Sequence, residues 1–308
     1  MTDHQGNGYK SLKDILARIP KDNKEEVLID LAGEEIEEQI VIDKPYVRIA
    51  NGTIRYGLKA YEILEDGFKR GTFRTYSVFV DADHVSFENM KVYNDAGYHD
   101  GQAIALMIDG DDFYAKDCMI SSYQDTLFLA PLPDKEYEYR GFDGPLKERE
   151  RVHREAIFEH CLIEGSIDFI FGGGMGYLHD CEIRSRNIQK PINGFVCAPN
   201  TPQNEDYGFI FDECRFTCEE GMKDSVYLAR PWRNYGKCLI ANSKLGDHIR
   251  KEGFHDWDKP DAHETTCFME YNNCSAGPID RVDWLKQVSK KDLDYIDSLR
   301  RRKDERDL

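Results

Sequence analysis

Two aspartates sit at the same distance from a repeated cysteine: Asp125 lies seven residues after Cys118, and Asp168 seven residues after Cys161. If the two segments are neighbouring coils of one repeat, the carboxyl groups stand one strand spacing apart, about 4.8 Å. Two carboxylates that close cannot both ionise cheaply, so one stays charged and the other keeps its proton. A charged carboxylate can attack or abstract; a protonated one can donate. The spacing alone fits a ladder of turn aspartates on the solvent face better than a reactive pair. The flanking residues favour chemistry: Asp168 precedes Phe169, Ile170 and Phe171, and Asp125 precedes Thr126, Leu127 and Phe128. Gln102 and Gln124 carry amides that can donate to a developing oxyanion without adding charge. Arg230 could hold one aspartate ionised through a charge-assisted pair, and Trp232 two residues on could stack on a sugar face.

The element that must position these groups is a repeat. An apolar residue, two mixed residues, Cys or Met, any residue and an apolar residue recur at Phe87–Val92, Ala115–Ile120, Phe158–Ile163, Leu178–Ile183, Phe211–Phe216 and Tyr235–Ile240. Period-two alternation predicts strand. Irregular spacing with a shortest gap of 20 residues, Cys161 to Cys181, predicts a solenoid of coils with loops of variable length. Stacked coils would place Cys118, Cys161, Cys181, Cys214 and Cys238 in an internal ladder of small buried thiols. An antiparallel sandwich is the competing fold, and it does not explain an anchor repeated at solenoid spacing. A helix at about 10–19, opened by Ser11, and a helical tail at about 283–308 are expected to cover the ends. The whole chain, 1–308, reads as one domain.

The 58 Asp and Glu against 41 Lys and Arg leave a net charge of −17. That excludes nucleic acid and anionic membranes as natural partners. It disfavours a fully ionised polyanion more than a neutral, esterified one. The first residues show no basic start followed by an apolar run, so no signal peptide is visible. Nine cysteines without a CxxC pair predict reduced thiols and a cytoplasmic protein. No His cluster has metal-ligand spacing, and no Gly-x-Ser-x-Gly is present.

Four segments in order resemble the pectinesterase (pectin methylesterase) family: Gln102–Leu106, Gln124–Leu127, Gly165–Gly172 and Leu228–Trp232, with weaker agreement at Asn94–Gly97 and Ile42–Pro45. The resemblance implies an all-β, right-handed single-stranded parallel β-helix with short helical caps. It implies hydrolysis of galacturonate methyl esters with release of methanol, by Asp168 as nucleophile and Asp125 as general acid and base. It further implies Gln102 and Gln124 at the oxyanion, Arg230 pairing the nucleophile, Trp232, Phe171, Thr72 and Phe128 against the substrate, and no metal or cofactor. Phe128 replaces the family's usual tyrosine. Asp125 and Asp168 lie 43 residues apart, about twice the usual family separation, and the extra stretch begins at Pro131. Similar insertions occur in bacterial members of that family, some of them intracellular, so the resemblance implies a bacterial-type, non-secreted enzyme. The expectation is a monomer whose loop walls one end of the groove and favours oligogalacturonides over polymer. A β-helix polysaccharide lyase, with Asp109 to Asp112 as calcium site, and a non-catalytic carbohydrate-binding solenoid are the rivals.

Overall fold

The computed structural model describes residues 2–3 and 11–306; Lys10 and residues 307–308 of the expected caps lie outside them. Seven strands stack in parallel as one wall: β1 (Ile40–Ile42), β2 (Val78–Val80), β3 (Leu106–Ile108), β4 (Leu127–Leu129), β5 (Ile167–Gly172), β6 (Gly194–Pro199) and β7 (Val226–Ala229). Their register is tight, with Leu106 beside Leu127 and Leu127 beside Ile170. Each strand returns to the wall after one circuit, giving a right-handed parallel β-helix. Two further walls meet at a corner, where the long strands Val47–Tyr56 and Ser86–Asn94 run through and join them into one hydrogen-bonded sheet. Side chains pointing inward from all the walls form a continuous core running from Leu12 to Phe268.

In four copies the repeated six-residue segment is this corner, with two strands in place of one, while Phe87–Val92 runs through it inside the strand Ser86–Asn94. In the coil of Cys118, strand Phe113–Lys116 ends before Asp117 and strand Met119–Ser121 begins after Cys118. The residue before each anchor takes a left-handed backbone: φ is 51° at Asn89, 54° at Asp117, 52° at His160, 46° at Asp180 and 58° at Glu213. Asn, Asp and His tolerate that conformation best among residues with a side chain. The buried thiol then closes the corner, as the Cys161 Sγ does by donating to the Ala115 carbonyl at 3.5 Å. Cys238 does not belong to this ladder. It lies inside a strand, paired with Phe209, and the corner of its coil is Asn242–Ser243. Ser243 takes the thiol's place, its hydroxyl accepting from the Cys214 amide at 3.0 Å.

Helix α1 (Leu12–Arg18) buries Leu12, Ile15 and Leu16 over the first coil, and Ser11 caps it by accepting from the Asp14 amide. The C-terminal segment departs from expectation. Residues 283–289 are not helical; Val282, Trp284 and Leu285 pack onto the end of the core, with Trp284 5.8 Å from Phe268. Helix α2 (Lys290–Asp304) starts only at a capping box made by Ser289 and Asp292. It lies along the flank of the helix, over Ile157, Tyr177, Ile210, Leu239 and Met269, which form one outward-facing column. There Arg300 donates two hydrogen bonds of 2.8 Å to Asp212, which is fully buried.

Burial opposes ionisation of Asp212, but hydrogen bonds from His179, Arg300, Asn242 and Tyr177 outweigh it and hold the carboxyl well below the usual range. A depressed carboxyl contributes stability above its unfolded pKa of about 3.9, lost as pH falls through the folded value. Arg300→Gln therefore lowers unfolding stability by about 3 kcal/mol near neutral pH. The gap from wild type narrows in strong acid. Urea titrations across pH check this; a cost below about 1 kcal/mol would mean the pair behaves as a surface ion pair.

Candidate active site

Asp125 and Asp168 are brought together by coil stacking. Gln124 bridges to Ile167, and the Asp125 amide donates to the Ile167 carbonyl at 3.1 Å. Both aspartates take a left-handed backbone, with φ of 62° and 50°. Strand β5 slips register against β6 between Ile167 and Ile170, a bulge at Asp168. Bulges and left-handed residues re-aim side chains at functional sites, and here both carboxyl groups line one cleft. The Ser166 hydroxyl donates to the Tyr123 carbonyl at 2.8 Å and the Thr126 hydroxyl to the Glu164 carbonyl at 3.0 Å, stapling the two coils on either side of the pair. Gly172, at φ 130°, lets β5 close on β4, since a Cβ there would sit 1.9 Å from the Leu129 carbonyl oxygen.

Arg230, just beyond β7, divides the charge. Its Nε and Nη2 donate to the two oxygens of Asp168 at 2.8 and 2.6 Å. The guanidinium is sandwiched between the rings of Phe195 and Trp257, at 3.7 and 3.6 Å. That stacking fixes its plane and adds cation–π attraction. Among the described residues Asp125 has no such partner. Burial, and then the charge of Asp168, push its carboxyl well above the usual range, against smaller opposing effects of Arg230 and a Gln124 hydrogen bond. The result is an anionic carboxylate beside a neutral carboxylic acid, both 8 % exposed. Such a pair can attack an electrophilic carbon from one side and protonate a leaving group from the other.

The cleft, of about 360 Å³, also takes in Gln102, Gln124, Thr72, Phe171 and Trp232. Phe128 does not line it. It is fully buried beneath Phe73, at 5.1 Å, and Phe171, at 4.9 Å. The outward-facing column Phe79, Met107, Phe128, Phe171 is covered by Phe73, Phe142, Leu132 and Leu146, so an expected substrate contact is instead a core residue. Three of these covers come from the stretch after β4. That stretch also sends Tyr137, Glu138 and Gly141 to the cleft wall. It is anchored by Phe142 and Leu146 and by Arg149 to Asp81 and Asp109, and braced within itself by Lys147 to Asp143 at 2.8 Å.

Sequence reasoning missed Phe73, Arg233, Trp257 and Lys259, all cleft residues. Trp257 is one of three tryptophans, and that rarity in a charged stretch was the available signal. Lys259 donates to the carbonyls of Pro231 and Trp232. Burial, and then Arg233 and Arg230 nearby, lower its ammonium to about 8.

A model of the Pectinesterase family matches residues 1–133 and 150–296, leaving the core of the inserted stretch outside. Pectinesterase QRT1 of Arabidopsis thaliana is 27% identical over 310 residues, covering 95% of this chain and 74% of that protein. A probable pectinesterase/pectinesterase inhibitor 23 of the same plant is 25% identical, with 92% of this chain aligned. The chain spans about half the length of that relative, 48%. Among solved structures, pectin methylesterase from carrot superposes with a TM-score of 0.76 at 25% identity, covering 92% of this chain and 85% of that one. Pectin methylesterase PemA from Erwinia chrysanthemi has the same fold, with a TM-score of 0.76 at 23% identity over 94% of this chain and 92% of its own.

A carboxyl held above its unfolded pKa costs stability as pH rises from that value to the folded one. Asp125→Asn removes the cost. The variant should be more stable than wild type, by a margin that grows as pH rises from about 4 toward neutrality. Urea midpoints at several pH values measure it; an unchanged or inverted margin would mean Asp125 is not held protonated.

Proposed function

Because this chain belongs to the pectinesterase family, we propose that it is a carboxylic ester hydrolase that removes methyl esters from galacturonate units and releases methanol. The observation that carries the assignment is the two-bond pairing of Arg230 with Asp168 beside the buried carboxyl of Asp125 in one cleft. An Asp168 oxygen attacks the C6 ester carbon, and the Gln102 and Gln124 amides donate to the resulting oxyanion. As the tetrahedral intermediate collapses, the C6–methoxy bond breaks and Asp125 gives its proton to the departing methoxide. An anhydride between Asp168 and the galacturonyl carboxyl remains. Water, losing a proton to Asp125, attacks that anhydride and restores both aspartates with the free uronate. Trp232 and Phe171, 5.6 Å apart at the cleft, offer apolar surface to the sugar ring, and Thr72 also lines the cleft.

A polysaccharide lyase would instead need a cation and a base at the uronate. The acidic run that could suggest one is engaged elsewhere: Asp109 accepts from Arg149 at 3.2 Å, and Asp112 faces His84 at 2.8 Å. The finer reading is a monomeric, non-secreted enzyme of the bacterial type working on short chains. Nine free thiols, six of them buried, fit a reducing cytoplasm. The wall built by Tyr137, Glu138 and Gly141 favours oligogalacturonides over long pectin.

Methanol release from methylated oligogalacturonides tests the reaction. Asp168→Asn should lower kcat by about 10³-fold or more, and Gln102→Leu by about 10²-fold. A folded wild type that releases no methanol, or makes an ultraviolet-absorbing unsaturated product, would end the esterase reading. Separately, kcat/KM on a methylated trimer should exceed that on polymer, and replacing residues 134–149 by a short Gly-Ser linker should narrow the difference. Equal efficiencies in the wild type would contradict the wall's role.

A further inference from the structure

Lys259 lines the cleft half-buried, and no step of the ester chemistry uses it. Its ammonium donates to two adjacent backbone carbonyls, that of Pro231 and, at 2.9 Å, that of Trp232. Those carbonyls belong to the turn that follows Arg230, whereas Lys259 belongs to the loop of Trp257. One side chain therefore joins the two segments that carry the cleft's tryptophans. The joined parts close a circle around Arg230. The Trp257 ring packs against the Arg230 guanidinium at 3.6 Å and against the Lys259 Nζ at 4.4 Å. Arg230 in turn holds both oxygens of Asp168. A shift of the Trp257 ring thus acts directly on the group that keeps Asp168 charged.

The loop needs such a tie. Trp257 and Asp258 both take a left-handed backbone, at φ 59° and 54°. For a bulky residue such as Trp257 that conformation persists only where the surroundings impose it. The His255 amide fastens the start of the loop to the Ala229 carbonyl at 3.1 Å. The bonds that follow are local: the Trp257 amide donates to His255 Nδ1 at 2.8 Å, and the Asp258 amide to Asp256. The Lys259 side chain then reaches back across to the Arg230 turn. Charge is held there against electrostatics. Burial, and then Arg233 and Arg230, lower the ammonium to about 8, against a smaller pull from Asp168. Facing it in the cleft are Arg230 and Arg233 from the turn, Asp125 and Asp168 from the wall, and Tyr137 and Glu138 from the inserted stretch. Its own loop adds His255, Asp256 and Asp258.

We propose that charged Lys259 is a positioning residue for the ester hydrolysis: it staples the Trp257 loop to the Pro231–Trp232 turn and so holds the Arg230 guanidinium in the plane that Asp168 needs. The effect on rate rests on the ester-hydrolase reading; the staple itself does not. Lys259 acts through Arg230, not on the substrate. When it loses its proton, a neutral amine donates to the two carbonyls more weakly than an ammonium does. The staple slackens, the Trp257 ring moves, and Arg230 no longer meets Asp168 squarely. Small misplacements of this kind are costly in rate.

Two variants test this. Lys259→Met keeps the length but removes the charge and the donors, and Lys259→Arg keeps both and stays charged. Tryptophan emission, followed from about pH 7 to about 9.5, above histidine and below tyrosine titration, needs no substrate. In wild type it should change with a midpoint near 8 as Trp232 and Trp257 loosen. In Lys259→Met the transition should vanish, and in Lys259→Arg the neutral spectrum should persist across the range. The second readout is the ratio of wild-type to Lys259→Met kcat for methanol release from a methylated trimer. It should be about tenfold near neutral pH, with KM little changed, and should fall toward one as Lys259 loses its proton. Lys259→Arg should keep most of the wild-type rate and hold its lead over Lys259→Met at every pH. A residue that merely stabilised the fold would give a ratio that does not move with pH. An emission change that persists in Lys259→Met, an unchanged kcat in that variant, or a ratio independent of pH would overturn the proposal. No methanol from wild type, with emission behaving as expected, would reject the ester-hydrolase reading and the positioning role with it, leaving the staple alone.

Discussion

Two carboxyl groups on successive turns of a parallel β-helix face a constraint set by the spacing of the strands themselves. Neither can move away, because each belongs to a backbone ladder, and both cannot be charged. The protein resolves this by giving Asp168 a guanidinium and Asp125 none. Arg230 comes from two coils further on, where β7 ends, and two aromatic rings hold it flat. Asp125, buried and facing a committed negative charge, keeps its proton. The roles of nucleophile and acid follow from that unequal environment, not from any difference in residue type.

Around this pair the inserted stretch does two jobs at once. Its Phe142 and Leu146 cover an outward-facing aromatic column that would otherwise be a large exposed apolar patch. Its Tyr137 and Glu138 raise one side of the cleft. The same burial that stabilises the segment therefore shapes the site. Phe128, beneath Phe73 and Phe171, belongs to the same buried cluster, which explains why phenylalanine is acceptable there: a tyrosine hydroxyl in that position would need a buried partner.

Much of this was legible in the sequence, and the reasons for the exceptions are physical. The equivalence of Asp125 and Asp168 followed from their equal distance to Cys118 and Cys161, because corner and wall are separated by the same short strand in both coils. Arg230 and the glutamines were legible as chemistry and placed by the resemblance. The repeat itself was misread in one respect: alternation across Asp117 and Cys118 looks like a strand, but a left-handed residue breaks it into a corner. Cys238 mimicked the pattern while Ser243 filled the position, since a small buried hydroxyl can close the corner as a thiol does. Burial by a distant loop hid Phe128. Lys259 and Trp257 reach the cleft from beyond the last wall strand, and no local spacing announces that. The tail showed helix-forming residues, but the capping box at Ser289 and Asp292 decided where the helix begins.

The central claim is the division of charge between Asp125 and Asp168, and carboxyl infrared spectroscopy reads it directly. Difference spectra between wild type and Asp125→Asn near neutral pH should contain the C=O band of a protonated carboxylic acid assigned to Asp125. The matching spectrum for Asp168→Asn should show loss of a carboxylate, with ionisation of Asp125 moved to lower pH once its charged neighbour is gone. A protonated band that disappears with Asp168→Asn and persists in Asp125→Asn would reverse the roles. The absence of any such band would contradict the account altogether.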